Sequence, residues 1–184
     1  TIEIAWNSWE SFHFQRYVDG MSVFEAINHD GTSASRNRRG QWNRAGDGES
    51  ARIDVYTAWN AWDEALEGFR DRIILTEKEA TIVDGRPARK FALSLGPVPE
   101  NEPIRTSGLL PHRLEGTVTL DSATAVRLRA DVLAVSKQKN RTRRIKLNIR
   151  RTGVGEVQDI EVPQVPLRAP GDLLRKLPER PKRQ

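Results

Sequence analysis

The sequence predicts a mainly β fold of the α+β class, an antiparallel sheet with an amphipathic helix over one face. Three observations predict it. Residues 114 to 163 alternate apolar and polar side chains in short runs separated by turn residues, the period of strands with one wet face. Only the stretch from Thr57 to Phe69 spaces its large apolar residues three and four apart. Ten prolines, thirteen glycines and a hydrophobic fraction of 37% in 184 residues suit frequent turns better than a helical bundle.

The first element is a strand-like run carrying Ile2, Ile4 and Trp6. Phe12, Phe14 and Val18 then share one parity around Arg16, Asp19-Gly20 is a turn signal, and Ser22 to Ile27 resumes an extended pattern. Together these predict a hairpin. Residues 28–50 are rich in Asn, Asp, Gly, Ser and Arg and read as a long polar loop or an irregular hairpin pinned only by Trp42. Arg52 to Tyr56 reads as strand. In the helix that follows, Trp59, Trp62, Leu66 and Phe69 lie opposite Asp63, Glu64 and Glu67. Thr57 suits its start, Gly68 its end, and Arg70 and Arg72 suit the negative pole of its dipole.

Ala80 to Val83 and Ala88 to Leu95 flank the turn Asp84-Gly85-Arg86-Pro87, with Phe91, Leu93 and Leu95 as the buried face. Residues 97–103 hold three prolines and make a connector without regular structure. In the next strand Val118 and Leu120 alternate with Thr117 and Thr119, and it stops at the turn Asp121-Ser122-Ala123-Thr124. Val126, Leu128, Ala130, Val132 and Ala134 then share one face against Arg127, Arg129 and Asp131. Ile145, Leu147 and Ile149 alternate with Lys146, Asn148 and Arg150. A last strand, Val157 to Val162, ends at Pro163, which has no N–H for a ladder. Residues 1–163 are expected to form one domain, and 164–184 a Pro-rich basic C-terminal extension with a small apolar stripe at Leu173, Leu174 and Leu177.

Thirty basic against 25 acidic residues leave a charge of +5. The surplus is local: Lys137, Lys139, Arg141, Arg143, Arg144, Lys146, Arg150 and Arg151 follow one another with no acid among them, a strongly basic loop. Such a run favours an anionic partner. An anionic membrane surface ranks above nucleic acid, because the run has no aromatic side chain to stack on a base. There is no cysteine, hence no disulfide, thiolate nucleophile or cysteine metal site. His13, His29 and His112 lack metal-ligand spacing, and neither a G-x-S-x-G elbow nor a Gly-rich phosphate loop occurs. No catalytic residue, metal or cofactor is therefore assigned, and the chain reads as a non-enzyme. No run approaches the ~20 apolar residues of a membrane-spanning helix. The chain opens at Thr1, inside a strand-like run, so an upstream segment such as a secretion or lipoprotein signal is expected.

The large apolar residues Trp6, Trp9, Phe12, Phe14, Phe24, Trp59, Trp62, Leu66 and Phe69 admit two readings. Each large ring buries ~150–250 Å², about 4–6 kcal/mol of gross burial, so together they can fill a core. They can equally line an incompletely filled cavity that accepts an acyl chain. Two similar words, Ala5-Trp6-Asn7-Ser8-Trp9-Glu10 and Ala58-Trp59-Asn60-Ala61-Trp62-Asp63, carry paired tryptophans without the sustained period of a repeat architecture. They are expected to cap one hydrophobic space from two elements.

The words Val83-Asp84-Gly85-Arg86-Pro87-Ala88 and Gly116-Thr117-Val118-Thr119-Leu120-Asp121, with the closing Ile145 to Val162 segment before Pro163, resemble the LolA and LppX group of bacterial envelope lipoproteins and lipoprotein carriers. The resemblance runs over residues 80–163. It implies a strongly curved antiparallel sheet, a half barrel, wrapped around helices, with an apolar cavity that holds acyl chains. The chain differs from that pattern in its single predicted helix and its basic tail. The resemblance implies a non-catalytic envelope protein, in the periplasm or on the periplasmic face of the outer membrane, whose partner is a lipid or acylated ligand. The nine apolar residues would line the cavity, and Lys137, Lys139, Arg141, Arg143 and Arg144 would meet anionic headgroups. The alternative is a structural subunit of a multiprotein envelope assembly, docking on a protein partner through Leu173, Leu174 and Leu177.

Overall fold

Among the described residues three Asp-Gly pairs occur, at 19–20, 30–31 and 84–85, and in each both residues have positive φ, 49° at every Asp and 74° to 79° at the Gly. That is the geometry of the two-residue hairpin turn whose twist matches that of the flanking strands. The computed structural model describes residues 1–38, 40–44, 49–98 and 108–165. In chain order the strands are β1 (Ile2–Ser8), β2 (Ser11–Val18), β3 (Met21–His29), β4 (Thr32–Asn37) and β5 (Asn43–Arg44). Helices α1 (Glu49–Trp59) and α2 (Ala61–Leu66) and a 3-10 turn (Glu67–Arg72) follow. Then come β6 (Ile73–Val83), β7 (Arg86–Leu95), β8 (Leu110–Asp121), β9 (Arg127–Gln138) and β10 (Arg141–Arg150).

The fold is mainly β, as the alternation predicts. The strands form two five-stranded sheets, β1 to β5 and β6 to β10, each joining consecutive antiparallel neighbours. Both are open and neither is strongly curled, in place of one strongly curved sheet. The described residues divide into two compact units, Thr1–Tyr56 with 157–165, and Thr57–Glu156.

In the second unit one sheet face is apolar. Register aligns Leu93 with Gly116, Gly116 with Val132 and Val132 with Leu147, and Phe91 with Val118 and Ala130. Trp62, Leu66 and Phe69 pack onto this face with Leu93, Leu114, Val118, Ala130, Val132 and Ala134. The opposite face is largely polar, with Lys90, Thr117, Asp131 and Asn148. Gly116 has φ +144°, and a Cβ there would lie 2.1 Å from the Asp131 carbonyl oxygen, so only glycine lets β8 and β9 approach this closely. In the first unit Phe12, Phe14 and Ala26 are fully buried, and Phe14 meets Phe24 at 6.0 Å between centroids.

Several expectations need correction. Arg52 to Tyr56 is helical, because α1 starts at Glu49 and buries Ala51 and Val55, four apart on one face, while Ile53 and Tyr56 stay exposed. Five residues are too few to separate a period of 2 from 3.6. The predicted helix from Thr57 is interrupted at Asn60 and tightens into the 3-10 turn after Leu66. Of the two readings of 28–50 the hairpin is the one observed, and the loop is not: β4 pairs with β3 and β5, and its buried residues, Ser33 and Ala34, are too small to make an apolar stripe. Val157 to Val162 is not a strand: the side chain of Asn7 takes the place of a ladder neighbour, accepting from the Gln158 N–H at 2.7 Å and donating to its carbonyl at 2.8 Å. The basic run is likewise no loop. Lys139-Asn140 alone makes the turn, with φ 45° at Lys139, and Arg141 to Arg150 is β10.

Candidate functional site

The nine predicted cavity residues fall in both units: Trp6, Trp9, Phe12, Phe14 and Phe24 in the first, Trp59, Trp62, Leu66 and Phe69 in the second. Phe12, Phe14, Leu66 and Phe69 are buried, whereas Trp9 and Trp59 remain 42% and 40% exposed. Trp6 meets Trp9 edge to face at 4.6 Å and stacks on Phe12 at 6.3 Å. Surface grooves occur elsewhere. Two open along His29 and the segment Val162–Gln164, and one lies between the 84–87 and 121–124 turns, and none of the nine lines them.

Helical cover on the second sheet is short, and it reaches the centre of the apolar face more fully than its borders. Ile145, Leu147 and Ile149 on edge strand β10 are only partly buried, and Leu75 on the other edge strand is 51% exposed. Strand alternation puts Arg141 and Arg143 on the same face as Ile145, Leu147 and Ile149. That face of β10 is thus apolar along one half and cationic along the other. Lys137, Lys139 and Arg144 are at the same hairpin tip, so all five predicted anion-contacting residues gather there.

Sequence reasoning missed a second cationic arrangement. The Arg127 guanidinium lies 3.9 Å from the ring centroid of Trp62, and that of Arg151 lies 4.5 Å from Trp59. Pairing of β9 with β10 brings the arginines to the same end of the sheet, where the Arg151 N–H donates to the Leu128 carbonyl at 2.8 Å. Burial, then repulsion from Arg151, pulls Arg127 down to about 10, against an opposing pull from Asp63. Burial also lowers Arg151.

The two words that carry the family resemblance are neighbours in space. Ala88 pairs with Asp121, and the Arg86 Nε donates to Asp121 Oδ2 at 2.7 Å. The other Asp121 oxygen accepts from the Ala123 and Thr124 N–H groups and the Thr124 hydroxyl at 2.8–3.1 Å, which builds the predicted 121–124 turn. Arg86 and the Thr124 donors hold this carboxyl well below the usual range.

In the first unit Glu25, 4% exposed, is a hub. Its carboxylate accepts from Arg36 Nε at 2.5 Å and Gln15 Nε2 at 2.9 Å, and meets His13 Nε2 at 2.8 Å. Burial pushes its pKa up, but the hydrogen bonds from Arg36, His13 and Gln15 outweigh this and hold it below the ordinary value. Asn28 and Ser33 form a second buried pair at 2.6 Å. A third chain joins Ser11 Oγ to His29 Nδ1 at 2.8 Å and His29 Nε2 to Asp30 Oδ2 at 3.3 Å. This is the order of a nucleophile, base and acid, but Asp30 is 87% exposed, where water screens the charge that would support a protonated imidazole. Among the described residues no three His, Cys, Asp or Glu side chains converge on a metal-sized site, and no helix is long and apolar enough to cross a membrane. Leu173, Leu174 and Leu177 lie outside the described residues.

No family model matches this sequence, and no curated protein or solved structure is significantly similar to it.

Proposed function

We propose that the chain is a non-catalytic binding protein of the bacterial envelope that holds the acyl chain of an anionic lipid or acylated ligand on the β6–β10 sheet. The observation that carries this reading is the divided face of β10, with partly exposed Ile145, Leu147 and Ile149 continued by exposed Arg141 and Arg143. An acyl chain along the apolar half would shed water, at ~0.8 kcal/mol per buried CH₂. Its anionic end would reach the two arginines, which form no ion pair with a described residue. The resemblance of the words at 83–88 and 116–121 to the LolA and LppX group supports the same reading, and a periplasmic or outer-membrane location belongs to the proposal.

The test uses a brominated fatty acid, whose bromines quench nearby tryptophan fluorescence. Saturable quenching in the native chain, weakened by Leu147→Asp and separately by the pair Arg141→Gln and Arg143→Gln, is the expected result. Quenching that is equal in all three proteins means the fatty acid does not lie along β10.

A further inference from the structure

We infer that Arg127 and Arg151, each stacked on a tryptophan of the helical segment, form a binding site for a phosphate group. The word Ala58-Trp59-Asn60-Ala61-Trp62-Asp63 supplies the platform. Trp59 ends α1 and Trp62 lies in the first turn of α2, three residues on, so the two rings present themselves to adjacent positions at one end of the sheet. The β9–β10 register supplies the cations. Arg129 faces Arg150, and the residues just beyond that pair bring the guanidiniums to 3.9 Å and 4.5 Å from the two rings.

Each stack fixes the plane of a guanidinium and leaves its edge, a rigid fork of N–H donors, to bond something else. Among the described residues neither fork has a hydrogen-bond or ion-pair partner. Asp63 is near enough to act on Arg127 without pairing with it. Two half-buried like charges that repel one another are costly as a purely structural device, since a single arginine would stack equally well. An anion with several oxygens removes the repulsion and accepts from both forks at once. Phosphate meets that geometry, with bidentate N–H···O contacts to each arginine. The neighbouring pair differs: Arg129 and Arg150 both reach Asp84, at 3.4 Å and 3.5 Å. The inference does not depend on acyl-chain binding at Ile145 to Ile149, and failure of either leaves the other standing.

Phosphate can arrive as a free ion or as a lipid headgroup, and two probes separate these sources. The full chain is titrated with inorganic phosphate and, separately, with dihexanoyl phosphatidic acid below its micelle-forming concentration. Arginine Nε–H and tryptophan indole N–H signals are followed by nitrogen-15 NMR. Signals of Arg127, Arg151, Trp59 and Trp62 are expected to move together and saturably. Arg127→Gln and Arg151→Gln are each expected to weaken binding by about tenfold or more, while Lys146→Gln leaves it unchanged. A response to inorganic phosphate assigns the site to the free ion, and a response to the lipid alone assigns it to a headgroup. Both support the inference. It is overturned if neither probe moves these four signals, or if affinity is undiminished in both arginine variants. Should a glutamine variant unfold, as read by circular dichroism, the signals of the native chain still decide.

Discussion

Replacing Gly116 by alanine tests how closely β8 and β9 must approach beneath the helical cover. The new Cβ would lie 2.1 Å from the Asp131 oxygen and 2.8 Å from the Val132 Cα, both backbone atoms that cannot swing aside. Real Cβ atoms essentially never come within 3.0 Å, so the strands must part by nearly an ångström. Overpacking of this kind costs ~1–3 kcal/mol, and holding alanine at a φ of +144° adds about 1–3 kcal/mol. The lost flexibility of the unfolded chain returns only ~0.4–1 kcal/mol. A net destabilisation of about 1–5.5 kcal/mol follows. Gly68→Ala is the control, because Gly68 has no positive φ and nothing within 4 Å of its added Cβ. It should be neutral or stabilising by up to ~1 kcal/mol. Urea unfolding followed by tryptophan fluorescence reads both. If Gly116→Ala unfolds within about 0.5 kcal/mol of the native protein, the close approach of β8 and β9 is wrong.

Glu25→Gln should cost about 1–3 kcal/mol at neutral pH, by weakening the bonds from Arg36 and His13. Because the folded carboxyl titrates below its ordinary value of 4.5, its stabilisation is present above that pH and is lost as pH falls through the folded value. The gap between native and variant urea midpoints must therefore narrow on acidification, and a gap that widens would contradict the hub. Ser33→Ala leaves the Asn28 carbonyl oxygen, fully buried, without its 2.6 Å donor, and should destabilise by about 1–3 kcal/mol in the same assay. Asp121→Ala removes the acceptor shared by Arg86, Ala123 and Thr124. Amide exchange at Ala123 and Thr124 should quicken by far more than at Leu133 in the middle of β9, and equal acceleration at both would mean the carboxylate does not hold that turn.

Strand parity was legible wherever one face is apolar and long enough. Ala130 to Ala134 and Ile145 to Ile149 alternate over enough residues to exclude a helix, and they pair as that alternation requires, whereas the register shift after Thr119 pairs Leu120 with Arg127 and packs Leu128 with Val83 and Ala88 instead of with Ala130, Val132 and Ala134. β4 was hard to see because its buried residues, Ser33 and Ala34, are small and adjacent and so make no alternating apolar stripe, yet Asp30-Gly31 before it carried the same turn chemistry as Asp19-Gly20 and marked a hairpin there. The Val157 to Val162 segment has strand alternation without a strand, and the Gln158 N–H and carbonyl bond to the Asn7 side chain, 151 residues away, in place of a ladder neighbour. The basic run was legible as charge and not as structure: alternation on β10 sends Arg141 and Arg143 to the apolar face. The Arg127 and Arg151 stacks were out of reach, because the two tryptophans and two arginines meet only through the pairing of β9 with β10.

Ligand binding is tested most directly by native mass spectrometry of the full chain purified from its own source, paired with mass spectrometry of its organic extract. The proposed function predicts a stoichiometric acyl-bearing anion in both spectra, displaced when Leu147 is changed to Asp. An apo mass that stays unchanged after incubation with phospholipid would contradict it and leave the apolar face of β6 to β10 as packed core alone.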